Sequence, residues 1–113
     1  MGALTTHILD TAQGIPAAGV KIELWFNDGK ERKLLKTAVT NQDGRLDAPA
    51  IEGDAFINGK YELRFFIGDY FGDKNEPAFL DIIPICFGVS NSDGHYHVPL
   101  LVSPYSFSTY KGS

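Results

Sequence analysis

Three histidines are the residues best suited to chemistry near neutral pH, and two of them, His95 and His97, stand two positions apart. They open a segment, His95–Ser113, that contains no Asp or Glu and whose only formal side-chain charge is Lys111. If that segment begins as a strand, alternation puts His95, His97, Pro99 and Leu101 on one face and Tyr96, Val98, Leu100 and Val102 on the other. The second face is the more uniformly apolar and is expected to pack inward, so both imidazoles project outward. The residues alone leave three readings open. The pair is a polar outer face, or two ligands of a zinc site with His7 as a third, or general acid–base groups. Acid–base work needs a group that fixes the substrate. Arg45 suits it, because it follows Asp43-Gly44 and a tight turn presents its planar fork rigidly to a carboxylate or a urea-type oxygen pair. His7 lies in Thr5-Thr6-His7-Ile8-Leu9-Asp10 on another predicted strand. The acidic residues are scattered and offer no paired-carboxylate motif. No Gly-x-Ser-x-Gly, Walker A or dinucleotide fingerprint occurs.

The elements that must position these residues are short strands between turn signals. Strands are predicted over 4–10, 20–26, 34–40, 60–66, 82–89, 95–102 and 105–110. Val20, Ile22, Leu24 and Phe26 share one face of the second of these, and Tyr61, Leu63 and Phe65 share one face of the fourth. Residues 13–19 read as a break. Residues 46–59 hold Pro49, Gly53 and Gly59 and are expected to be irregular, with one very short strand at most. A two-turn helix is expected over 67–75, weakened by Gly68 and Gly72. The continuous apolar run Ile82–Val89 reads as a strand buried on both sides. Its cysteine, Cys86, is the only one in the chain, so no internal disulfide forms, and Cys86 is expected to pack as a small apolar residue.

With 113 residues the chain is expected to form a single domain over 1–113. A formal charge of −4 gives no footprint for nucleic acid or an anionic membrane. Hydrophobic residues make up 43 %, enough for a folded core, and aromatics 12 %, which with 12 Gly and 6 Pro favours turn-linked strands over helical bundles. The N-terminus lacks a basic and apolar leader pattern, and the longest apolar run is too short to span a bilayer. A soluble, cytoplasmic protein is therefore expected. Seven or eight short strands with turns every eight to twelve residues argue for an antiparallel β-sandwich.

Three separated pieces together resemble one family. Leu4-Thr5-Thr6-His7-Ile8-Leu9-Asp10-Thr11, Thr40-Asn41-Gln42-Asp43-Gly44-Arg45, and His95–Tyr105 with the closing Tyr110-Lys111-Gly112-Ser113 resemble the motifs of the 5-hydroxyisourate hydrolases, the purine-catabolic branch of the transthyretin family. The resemblance spans essentially the whole chain. It implies an all-β, transthyretin-like sandwich of two four-stranded sheets with one short helix. It also implies a homotetramer, a dimer of dimers, with active sites at the dimer–dimer interface. That fits a sandwich too small to offer much concave surface of its own. By the resemblance His7, Arg45 and His97 are catalytic, and so is Ser113, by its hydroxyl or a terminal carboxylate. Arg45, Tyr110 and Ser113 are implied to bind substrate. The implied reaction is hydrolysis of the small molecule 5-hydroxyisourate, with no cofactor and no metal. His95 is left between a supporting and a solvent-facing role. Lys111 departs from the family's usual Arg before the final Gly-Ser, which keeps the charge and loses the fork. The rival readings are a carrier of a small aromatic ligand and a zinc hydrolase built on His7, His95 and His97.

Overall fold

The computed structural model describes residues 1–72 and 75–113. Nine strands run in the order β1 (Ala3–Asp10), β2 (Ile15–Pro16), β3 (Lys21–Asn27), β4 (Arg32–Val39), β5 (Ile51–Glu52), β6 (Gly59–Phe66), β7 (Ile82–Val89), β8 (His95–Val102) and β9 (Phe107–Thr109). A short helix, α1 (Ile67–Phe71), follows β6, and a 3₁₀ turn, Gly53–Ala55, follows β5. One sheet has the order β4-β3-β6-β7. The other has the order β2-β1-β8-β9, with the two-residue β5 also pairing β1.

Alternation builds the layer between the sheets. On β1 the inward residues Leu4, Thr6, Ile8 and Asp10 are buried, and on β8 so are Tyr96, Val98, Leu100 and Val102. Ile22 and Leu24 of β3 and Tyr61, Leu63 and Phe65 of β6 meet them from the facing sheet. The inward assignment of the Val98/Leu100/Val102 face therefore holds, and His95 and His97 point outward.

The structure departs from expectation in four places. The sandwich is not wholly antiparallel, because β1 and β8 run parallel over their full lengths. They come from opposite ends of the chain, so no hairpin dictates their direction. The β7 run is buried on one face only, with Pro84, Cys86 and Gly88 exposed. The outer face of β7 is left open among the described residues, so Cys86 is an exposed thiol, not a packed one. The helix stops at Phe71, because Gly72 turns extended (ψ 155). The expected span 67–75 includes Asp73 and Lys74, which lie outside the described residues. Finally, β2 was hidden in the 13–19 break, since two residues carry no periodicity.

Candidate active site

The parallel register of β1 on β8 sets the geometry. Thr5 lies opposite His97, and His7 lies opposite Pro99. His7 and His97 are thus diagonal neighbours on the outer face of adjacent strands. Two isolated bridges extend this row on both sides. Arg45 pairs with His7 on the stretch of β1 between its β5 and β2 pairings, and Gly112 pairs with His97 on the stretch of β8 that precedes its β9 pairing. Arg45, His7, His97 and the C-terminal tail therefore cross one sheet face in a line.

Each end of the line is held by backbone chemistry. Thr40, buried, donates its hydroxyl to the Ala17 carbonyl (2.7 Å) and accepts from the Val20 N–H (2.9 Å), which fixes the entry to the turn at 41–45. The Asn41 carboxamide oxygen accepts from the Asp43 and Arg45 N–H groups at 2.9 and 3.2 Å. Gly44 closes the turn at φ +73, where its N–H reaches the Asn41 carbonyl and its carbonyl accepts from Ile8 N–H at 2.8 Å. A Cβ at Gly44 would run into the Ile8 carbonyl oxygen, so glycine is required both for φ and for space. At the other end, the Gly112 N–H donates to the His97 carbonyl at 2.7 Å. Lys111 lies over the Tyr96 ring, 5.0 Å from its centroid. A cation–π contact needs charge and not a fork, so Lys serves here to tether the tail.

The row borders an open cleft of about 460 Å³, lined by Thr5, Thr6, Arg45, His95, His97, Ser113 and the 46–49 segment. Of the residues implied by the motifs, the structure brings Arg45, His97 and Ser113 to this cleft. His7 lies in the same row but is not among the lining residues. Tyr110, exposed, lines a different recess of about 230 Å³ together with β7 residues Ile85–Gly88. Thr5 is the site residue that residue-by-residue reading passed over. Its hydroxyl lies 2.9 Å from His97 Nδ1 and 3.0 Å from His95 Nε2. The signal was present, because Thr5 has the same strand parity as His7, but the parallel register that brings it to His97 is not visible in one strand alone.

Both row histidines are held below the ordinary imidazole value of 6.5. Burial is the larger cause in each, followed by the Arg45 charge, and for His97 also the neighbouring His7 and His95. They are therefore neutral at pH 7 and each has one nitrogen free to accept a proton. The Asp43 main chain pulls the His7 value back up and the Thr5 main chain that of His97, in each case by less than burial lowers it. For His97 the nitrogen turned to the Thr5 hydroxyl is Nδ1, and the tautomer sets which of the two donates. Among the described residues no three His, Cys, Asp or Glu side chains gather in a group that could hold a metal ion. No helix among them is long and apolar enough to cross a membrane.

Comparison with known proteins identifies the family and the fold. Residues 4–112 match the HIUase/Transthyretin family. The chain is 53 % identical to a protein named 5-hydroxyisourate hydrolase 2 from Rhizobium meliloti, over 99 % of this chain and 97 % of that one. It superimposes on the structure of Klebsiella pneumoniae 5-hydroxyisourate hydrolase with a TM-score of 0.84 at 34 % identity, covering all of both chains. It also superimposes on (S)-allantoin synthase with a TM-score of 0.91 at 49 % identity. There it covers 99 % of its own length but only 44 % of the longer chain.

Proposed function

The chain belongs to the HIUase/Transthyretin family, and we propose that it hydrolyses 5-hydroxyisourate to 2-oxo-4-hydroxy-4-carboxy-5-ureidoimidazoline in urate breakdown. The observation that carries this reading is the single row of Arg45, His7 and His97 across one sheet face, fixed by two backbone bridges and bordering a cleft.

The reaction opens a cyclic amide. Water adds to the ring carbonyl, the C–N bond breaks, the nitrogen takes one proton, and the new carboxylic acid loses another. A neutral imidazole can take the water proton at pH 7, where a protonated one cannot. His97 lines the cleft, which favours it as the base. His7, one strand across and equally neutral, then serves to orient the water or return a proton to the leaving nitrogen. The Arg45 guanidinium holds the planar, oxygen-rich ring and offsets charge on the carbonyl oxygen as the tetrahedral adduct forms. Ser113 offers a hydroxyl at the cleft rim. Tyr110 stands outside the cleft of this protomer, so its part in binding substrate requires the tail to move or another copy to supply it.

The same reading includes a homotetramer, a dimer of dimers with its sites where the dimers meet. The cleft is a surface depression of one protomer, and a second copy over it would exclude the bulk water that weakens every charge interaction. It also includes the cytoplasm, where an exposed, unpaired thiol such as Cys86 stays reduced. A carrier of an aromatic ligand fits less well, since a guanidinium and two imidazoles along the cleft suit a polar heterocycle. The test is to generate 5-hydroxyisourate from urate with urate oxidase and follow its decay with and without the protein.

A further inference from the structure

Hydrolysis of an amide at neutral pH releases one net proton, because water supplies two and the leaving nitrogen keeps one. The base beside Arg45 must therefore discharge after each turnover. His95 stands outside the row of Arg45, His7 and His97 but lines the same cleft, one strand period from His97, and is exposed to solvent. The two rings do not touch directly, with centroids 6.4 Å apart. The Thr5 hydroxyl lies between them, 2.9 Å from His97 Nδ1 and 3.0 Å from His95 Nε2.

A hydroxyl has one hydrogen to give. It therefore cannot donate to both imidazoles, and at least one ring must donate to it. One arrangement that satisfies both contacts has His97 Nδ1–H donating to Thr5 Oγ1 and Thr5 O–H donating to His95 Nε2. In that arrangement every donor points from His97 toward His95.

We propose that Thr5 and His95 form a proton outlet for His97. When His97 Nε2 takes a proton from the attacking water, its Nδ1 proton passes to Thr5 Oγ1, the Thr5 proton passes to His95 Nε2, and His95 releases its Nδ1 proton to solvent. Rotation of the hydroxyl and return of the rings to their starting tautomers reset the chain. One proton enters from the water and one leaves to the bulk, so the step balances without any co-reactant. Thr5 and His95 act through His97 and are positioning residues.

This inference rests on the hydrolase reading, and two measurements separate the two. The first needs no turnover. Nitrogen-15 NMR of the histidine rings is expected to show neutral His97 with its hydrogen on Nδ1 and His95 accepting at Nε2, with both hydrogen-bond signatures altered in Thr5→Val. A neutral His97 protonated on Nε2 overturns the outlet whether or not the protein is an enzyme. The second is the rate of 5-hydroxyisourate decay in dilute buffer for Thr5→Val, Thr5→Ser and His95→Phe. Thr5→Val and His95→Phe are expected to lower kcat about tenfold with KM little changed, Thr5→Ser to keep most of the rate, and added imidazole buffer to restore part of the loss. Wild-type rates in both variants, or a loss that buffer does not relieve, overturn it. A wild-type protein that leaves the decay unchanged sinks the hydrolase reading instead, and the outlet with it.

Discussion

Gly112 packs its backbone directly against the His97 ring. A Cβ on Gly112 would fall 2.6 Å from His97 Cδ2 and 3.1 Å from His97 Cβ. The tail bridge and the ring thus share one space, and the glycine lets the imidazole stand in the rotamer that turns Nδ1 to Thr5. Gly112→Ala should leave the fold intact, since it changes a terminal bridge, but push the ring out of line. Misplacement on the scale of an ångström costs on the order of 10²-fold in rate. Steady-state kinetics alongside a thermal melt checks this. A variant with unaltered Tm and unaltered kcat would show that the tail does not set the ring.

Removing the residues from Tyr110 onward should act through the same contact. The bridge at Gly112, the Lys111–Tyr96 contact and Ser113 are lost together, whereas the buried layer that includes Val98 and Leu100 is not. The shortened chain should fold and be severely impaired in turnover.

Arg45 has two separable effects. It binds the ring and carbonyl oxygen, so Arg45→Ala should cost about 10²–10³ in kcat, and Arg45→Lys should recover only part, having lost the fork. Its charge also lowers the pKa of His7 and His97. In Arg45→Gln both should titrate at higher pH than in the wild type, and the residual activity should lose its acid limb correspondingly earlier as pH falls. Ring-proton NMR across pH reads the shift directly. An unmoved His97 would mean that the guanidinium is not beside it in solution.

The pH profile of the wild type follows from the sign of those shifts. The base works only when neutral, and both imidazoles are held below 6.5. The acid limb of the activity profile should therefore have its midpoint below 6.5. A limb centred above the unperturbed histidine value of about 6.5 would contradict a desolvated imidazole base.

Stability has its own titrating group. Asp10, 1 % exposed, accepts from the Ala12 and Gln13 N–H groups, the Gln13 side chain and the Tyr70 hydroxyl. Burial pushes its carboxyl up, but these donors together outweigh burial and hold it below the ordinary carboxylate value. A depressed folded pKa stabilises the protein above the unfolded value and loses that contribution as pH falls through the folded one. Tyr70→Phe should thus cost about 1–3 kcal/mol at pH 7 and less at pH 3, in urea melts. Equal costs at both pH values would sink this assignment.

Much of this was legible in the sequence because alternation is a local signal. The outward pair His95 and His97 and the inward faces of β3 and β6 follow from period-two patterning alone. Arg45 was legible because Asp-Gly specifies a turn at positive φ. What was not legible is pairing. Nothing within β1 or β8 says that they run parallel, and that register is what sets Thr5 against His97 and His7 diagonal to it. Likewise the apolar content of Ile82–Val89 cannot say whether anything packs on its outer face, so Cys86 was placed inside when that face is exposed. Tyr110 belongs to the closing motif, but the way the tail folds back carries it into another recess.

The central claim is that one face of this sandwich hydrolyses 5-hydroxyisourate through His97 and Arg45. It is tested most directly by producing that compound from urate with urate oxidase and following its ultraviolet absorbance as it decays. The account predicts that the wild-type protein speeds the decay in proportion to its concentration, and that folded His97→Ala and Arg45→Ala variants do so at least about a hundredfold less. Decay at the uncatalysed rate with the wild type, or full acceleration by either variant, would contradict it.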